Sequence, residues 1–294
     1  MSKTRRGWLI TILGASFWGF SGACGQFLFT NYQIDASWLS ALRMLAAGLL
    51  LLIYSLAKYP RELRSLVGTR ENLLPLVLFA LPGMMMVQFT YLKAISYTNA
   101  GTATVLQYLM PVLILFYVCC ASRRKPVRRE LVAITLALLG TFLLATHGNI
   151  DHLVINEAGL FWGLSSAVAA ALYSLLPRKL MARYGSIPVI ACGMLLGGIV
   201  ISIPAHFWSY FPALDLAGNL ALAGIVIIGT VLGFSFYLQG VLDVGAVTAS
   251  MLASMEPLAA TLLAVFWLGS DIGPIDLLGF ACIIATVFIL AEKK

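Results

Sequence analysis

Glu256 is the one carboxylate within the apolar run from Ala246 to Leu268, and Pro257 stands directly beside it. An ionised side chain at the centre of a bilayer costs about 2.5 kcal/mol or more even on insertion scales, so such a group must face protein or water. It lies about ten residues from either end of the run, and proline removes the N–H that the carbonyl of Ala253 would accept in an unbroken helix. Pro111 does the same to the carbonyl of Gln107. The expectation is a pair of kinks, each offering a bare backbone acceptor near mid-membrane, beside a carboxylate able to bind an amine, take up a proton or pair with Arg43.

Arg43 and Lys93 are the two basic residues that interrupt apolar segments away from the flanking charge clusters. A pairing role near the outer side and a cavity role are both open for Arg43. For Lys93 the alternatives are lining the same cavity or snorkelling to the interface. Trp18, Tyr91, Gln107, Tyr108, Tyr173 and Tyr237 complete the candidate binding set, because aromatic and amide groups deep in apolar segments give polar-tipped walls suited to amphipathic or cationic ligands. Trp8, Trp38, Trp208 and Trp267 fall at segment ends and read as an interfacial belt.

Other chemistries find less support. The "GFSG" stretch at 19 to 22 could present Ser21 as a nucleophile, but His147, His152 and His206 all fall at or beyond the outer ends of segments, too shallow to serve as its base. Cys24, Cys119, Cys120, Cys192 and Cys282 show no metal-ligand spacing and read as free packing thiols. No catalytic residue, metal or cofactor is expected.

The elements that position these groups follow from composition. The 294 residues are 61% hydrophobic and 11% charged, with mean hydropathy +0.94, and the chain divides into ten apolar segments of spanning length. They are expected at 7–30, 35–57, 72–95, 100–121, 129–147, 158–177, 187–208, 217–240, 246–268 and 274–291. No connection is long enough for a soluble enzymatic head. An all-α membrane protein of ten transmembrane helices is the expected fold.

The net charge of +7 reflects topology rather than nucleic-acid binding. Seventeen of the 19 basic residues flank the segments on one side: Lys3, Arg5, Arg6, Lys58, Arg61, Arg64, Arg70, Arg123, Arg124, Lys125, Arg128, Arg129, Arg178, Lys179, Arg183, Lys293 and Lys294. With ten crossings, the positive-inside rule makes both termini cytoplasmic. The basic, apolar, small-residue start resembles a secretory signal, but its apolar stretch continues through Phe29, and losing it would leave an odd number of spans.

Sliding the chain by 146 residues lays 91–111 on 237–257, matching Tyr91, Leu92, Ala100, Thr102, Ala103, Leu106 and Pro111 with identical residues; Gly7 meets Gly159 at an offset of 152. The repeats are 1–147 and 148–294. Five spans in each force the second to enter from the opposite side, and the basic loop "SRRKPVRRE" set against the acidic "LGSDIGPID" agrees. Inverted repeats with broken helices at midplane typify secondary transporters.

"KAISYTNAGTATVLQYLMPVLILFYV" and "GVLDVGAVTASMLASMEPLAATLLAVFWLG", with Arg43 in "SALRMLAAGLLL" and Trp18-Gly19, resemble the EamA family of the drug/metabolite transporter superfamily over the whole chain. The resemblance implies a bacterial inner-membrane exporter or importer of amino acids or related metabolites, and the expected function is export of such small metabolites by alternating access. One departure is Leu268-Gly269-Ser270-Asp271, where family members often read Leu-Gly-Glu. The alternative is an importer or exchanger of a small cation bound at Glu256. The partners are a small-molecule substrate, the bilayer and a proton as coupling ion; a homodimer is left open.

Overall fold

The computed structural model describes residues 2–98, 100–152, 156–268 and 273–291. They are helical, with no strand among them. In chain order the helices are α1 (Lys3–Tyr32), α2 (Ala36–Lys58), α3 (Pro60–Gly68), α4 (Arg70–Leu78), α5 (Met86–Tyr97), α6 (Ala100–Gln107), α7 (Met110–Ala121), α8 (Arg128–Thr146), α9 (Glu157–Leu175), α10 (Arg178–Tyr184), α11 (Ser186–Ser202), α12 (Leu216–Gly224), α13 (Gly233–Val244), α14 (Ala246–Leu252), α15 (Met255–Leu268) and α16 (Pro274–Ala291).

Six helical stretches among the described residues, two of them broken by a short turn, are long and apolar enough to cross a membrane: Lys3–Tyr32, Ala36–Lys58, Arg70–Tyr97, Ala100–Ala121, Glu157–Tyr184 and Leu216–Val244. Leu74, Phe116, Ile199, Leu220 and Phe288 are exposed on their outer faces. Water would penalise that surface, whereas lipid accepts it. The chain is a membrane protein. Of the other segments expected to cross, α8, α11 and α16 hold 19, 17 and 18 residues, about 26 to 29 Å at 1.5 Å per residue against a hydrocarbon core of about 30 Å. The fourth is interrupted between α14 and α15. The seventh segment stops at Ser202 rather than near 208, giving way to turns and a short 3-10 helix at Phe207–Ser209.

Two helical stretches widen into π-helix, at Phe79–Met85 between α4 and α5 and at Ile225–Leu232 between α12 and α13. These begin 146 residues apart, the offset of the sequence repeat. In the second, the Thr230 hydroxyl donates to the carbonyl of Ile225, five residues back, at 2.8 Å. The breaks after Gln107 and Leu252 fall one residue short of that offset. Two helix starts keep it: Glu130 accepts from the Val127 amide at 2.9 Å, and Asp276 from the Gly273 amide at 2.8 Å.

Packing follows the same pattern. The most extensive helix contacts join α2 to α11, α8 to α16, α1 to α13 and α5 to α9. Glycines permit close approach: a Cβ at Gly48 would stand 2.8 Å from Leu195, and one at Gly140 would stand 2.9 Å from the Gly279 carbonyl.

Polar contacts bind the two sequence halves at both ends of the bundle. At one end the Tyr32 hydroxyl donates to Asp215 at 2.5 Å, and Trp38 Nε1 donates to the Tyr210 carbonyl at 2.8 Å. Lys93 pairs with Asp35 at 3.5 Å, which brings the end of α5 beside the start of α2. The start of α4 therefore lies at the opposite end, where Asn72 donates to the Tyr184 hydroxyl at 2.9 Å. Arg6 pairs with Asp243 at 2.8 Å there. Tyr32 and Tyr184 are 152 residues apart, the offset that lays Gly7 on Gly159.

Trp38 departs from the expected interfacial belt. It is 4% exposed, stacked on Phe207 at 5.7 Å, because the turns after α11 fold over it. Trp208 is 65% exposed. The side chains of Trp267 and His152, and the Gly269–Asp271 stretch, lie outside the described residues.

Candidate functional site

A cavity in the bundle is walled by Trp18 and Ser21 of α1, Arg43 of α2, Gln88 and Tyr91 of α5, Gln107 and Tyr108 at the first helix break, and Glu256 at the second, with Tyr173 of α9 and Phe234 of α13. The cavity has a volume of about 50 Å³. That is room for a few waters. Seven of the eight sequence-derived candidates share this wall. The eighth, Tyr237, is fully buried behind it: its ring stacks on Tyr173 at 5.8 Å and meets Trp18 at 4.7 Å, and its hydroxyl contacts Ser174 at 3.1 Å.

The two breaks set the geometry of the acid. Glu256 lies in the first turn of α15, not in the middle of a continuous helix. Pro257 and Pro111 both occupy first turns of restarted helices, where a missing N–H costs little. The carbonyl of Ala253 is not bare as expected, because the Glu256 amide donates to it at 2.9 Å in a tight turn. A helix start carries partial positive charge, which favours a carboxylate there. Tyr91 donates to Glu256 Oε1 at 3.3 Å, and its hydroxyl also meets Thr104 at 2.9 Å. Glu256 is 5% exposed.

Arg43 is 4% exposed and donates from Nε to the Thr230 hydroxyl at 3.0 Å. The π-helical turn that joins Thr230 to Ile225 aims this hydroxyl at it. The guanidinium lies 5.7 Å from the centre of the Phe234 ring. Among the described residues no ion pair joins Arg43 to Glu256. The pair that sequence reasoning left open is therefore not made in this conformation, and the terminal guanidinium nitrogens have no hydrogen-bond partner among the described residues. Lys93, engaged with Asp35, is not part of the wall.

Several wall groups have no hydrogen-bond partner among the described residues: Trp18 Nε1, both amide atoms of Gln88, and the hydroxyls of Tyr108 and Tyr173. Gln88, Thr104 and Thr230 escaped the sequence reading. For Gln88 the signal was present, since it is an amide inside an apolar segment, as Gln107 is. The threonines gave none, because a threonine in a span commonly bonds its own helix. Ser21 also lines the cavity, with no histidine among the wall residues.

A mostly apolar cavity with one acid, one base and several idle donors and acceptors suits a small ligand carrying both charges. The chain matches the model of the EamA-like transporter family over residues 5–146 and again over 157–291. A relative from Salmonella typhimurium, named as the uncharacterized inner membrane transporter YicL, is 39% identical over 295 residues, covering 99% of this chain and 97% of its own. The threonine/homoserine exporter RhtA of Escherichia coli is 29% identical over 262 residues, covering 86% of this chain and 80% of its own. A solved crystal structure superposes with a TM-score of 0.79 at 18% identity, over 99% of this chain and 96% of that one, a likeness of fold. Sequence halves, helix breaks and matched relatives agree: the chain belongs to the EamA-like transporter family.

Proposed function

We propose that this protein is a secondary carrier that exports small zwitterionic metabolites, amino acids or close relatives, across the cytoplasmic membrane by alternating access. In this reading ten spans form two inverted five-helix repeats, 1–147 and 148–294, with both termini in the cytoplasm, and the halves rock about the cavity. The observation that carries it is the chamber itself, where Glu256 and the free end of Arg43 face one small space between two helix breaks. An ammonium group fits the first and a carboxylate the second. The similarity to a threonine/homoserine exporter supports the substrate class and the direction.

Alternating access gains support from the paired tyrosine contacts. Tyr32–Asp215 and Tyr184–Asn72 tie the halves together at opposite ends, and both are made in this conformation. In this reading, opening either end breaks one set and keeps the other. Proton coupling assigns a second task to Glu256: release of the substrate amine and uptake of a proton alternate on one carboxylate.

Flux in proteoliposomes tests the reading. Wild-type protein is expected to show saturable transport accelerated by a pH gradient, and Glu256→Gln to lose the acceleration. Glu256→Gln carrying out gradient-driven transport at the normal rate would remove the coupling role. Unsaturable flux would point to a channel. The alternative reading, an importer or exchanger of a small cation, draws on Glu256 being the one acid among the wall residues; it predicts that Glu256→Gln weakens binding at every pH while Arg43→Met does not.

A further inference from the structure

Counterpart positions of the sequence repeat line the cavity with unlike chemistry. At the offsets of the sequence repeat, Trp18 corresponds to Ala170, Gln88 to Phe234, Gln107 to Ala253 and Met110 to Glu256. All eight of these residues line the one chamber. In each of these four pairs one member is polar-tipped and the other is not, while a fifth pair, Ser21 and Tyr173, carries a hydroxyl on both sides. The first half supplies the tryptophan and both amides, and Arg43 with them; the second half supplies the acid. A bound molecule therefore meets two different walls and has one favoured orientation.

Gln88 is the group in this arrangement with the least to do. It is 2% exposed, and neither Nε2 nor Oε1 has a hydrogen-bond partner among the described residues. Its counterpart Phe234 carries no polar atom and instead lies under the Arg43 guanidinium. A buried amide with both ends idle carries a desolvation penalty that is relieved when a ligand or water supplies partners. Which end of the side chain is nitrogen does not affect this, because both ends are idle.

On the proposed reading, Glu256 takes the substrate's ammonium group and Arg43 its carboxylate, which leaves Gln88 for a third group. One atom of the amide donates and the other accepts. The group that satisfies both must itself accept and donate, as a hydroxyl or a primary amide does and a methyl does not. We infer that Gln88 is a specificity-determining residue of this cavity, reading a hydroxyl or primary amide on the side chain of the transported molecule. The inference rests on the zwitterion reading of the same site, but it concerns only the choice among zwitterions.

Nearly isosteric pairs test it: L-threonine against L-valine, and L-asparagine against L-leucine, as competitors and as labelled substrates in proteoliposomes. Wild type is expected to favour the polar member of at least one pair by about tenfold or more, in keeping with the rejection of analogues that leave a polar site unpaired. Gln88→Met, close in size and shape, is expected to erase about tenfold of that preference by weakening the polar member, with the apolar member changed less than about twofold. Gln88→Asn, which keeps the amide on a shorter arm, should keep part of the preference. Thermal unfolding of each variant separates loss of fold from loss of discrimination. Equal treatment of both pairs by wild type, or an unchanged ratio in Gln88→Met, overturns the inference and leaves the carrier reading intact, with water alone on the amide. Absence of saturable flux for all four amino acids overturns the inference and the zwitterion reading together.

Discussion

Gly19→Ala puts the smallest available side chain where α1 meets the start of α15. The added Cβ would stand 2.5 Å from the carbonyl oxygen of Glu256, 2.9 Å from the Ala260 amide nitrogen and 3.2 Å from the Ala259 Cβ. Ordinary contact begins near 3.4 Å, so the first overlap is 0.9 Å. Two of the three atoms are backbone and cannot rotate away. Relief requires α1 and α15 to separate, which carries Glu256 off Tyr91, a hydrogen bond already 3.3 Å long. Overpacking of this kind costs about 1–3 kcal/mol, and site misplacement by ~1 Å lowers function by about tenfold or more. Purified Gly19→Ala in detergent should unfold several degrees below wild type and transport at a tenth of its rate or less. Gly68→Ala, with nothing within 4 Å of the new Cβ, should match wild type in both assays. If Gly19→Ala also matches wild type, the tight contact between α1 and the acid-bearing helix is wrong.

Two further perturbations probe the ends of the bundle. Asp215 is held below its ordinary carboxylate range, first by the Gly218 amide and then by the Tyr32 hydroxyl. A depressed folded-state pKa stabilises above the unfolded value of about 4, and the stabilisation is lost as pH falls through the folded value. Thermal stability of wild type should therefore drop more steeply than that of Asp215→Asn below about pH 4, and a parallel fall would contradict the contact. Trp38→Ala should cost about 3–5 kcal/mol, since it empties a buried site and orphans the Tyr210 carbonyl, while Trp208→Ala should stay within about 0.5 kcal/mol. Equal losses in unfolding experiments would return Trp38 to the surface.

Much of this organisation was legible because lipid allows few solutions. Apolar length gave the helices, and the offset of 146 that aligned Tyr91 with Tyr237 also relates the π-helical stretches and, within one residue, the two helix breaks. Tyr91, Arg43 and Glu256 stood out because a charge or hydroxyl deep in a span needs a partner. What escaped depends on local backbone shape. Proline signalled disruption at 111 and 257, but whether a helix kinks or stops and restarts is settled by the residues packed around the break. The restart moved Glu256 from mid-helix to a first turn and gave the Ala253 carbonyl a donor. The π-helical turn that aims Thr230 at Arg43 has no sequence marker of comparable strength. Trp38 misled because segment ends hold both belt residues and residues covered by a returning loop. For Tyr237, helical phase put its ring behind Trp18 and Tyr173.

Opposed threading of the two halves underlies the carrier reading, and it is open to direct measurement. In a cysteine-free background, Lys125→Cys and Ser270→Cys occupy counterpart connections of the two repeats. Intact cells exposed to a membrane-impermeant thiol reagent should label Ser270→Cys and spare Lys125→Cys, with the pattern reversed in inside-out vesicles. Labelling of both positions from the same face would contradict the inverted architecture and the alternating-access cycle built on it.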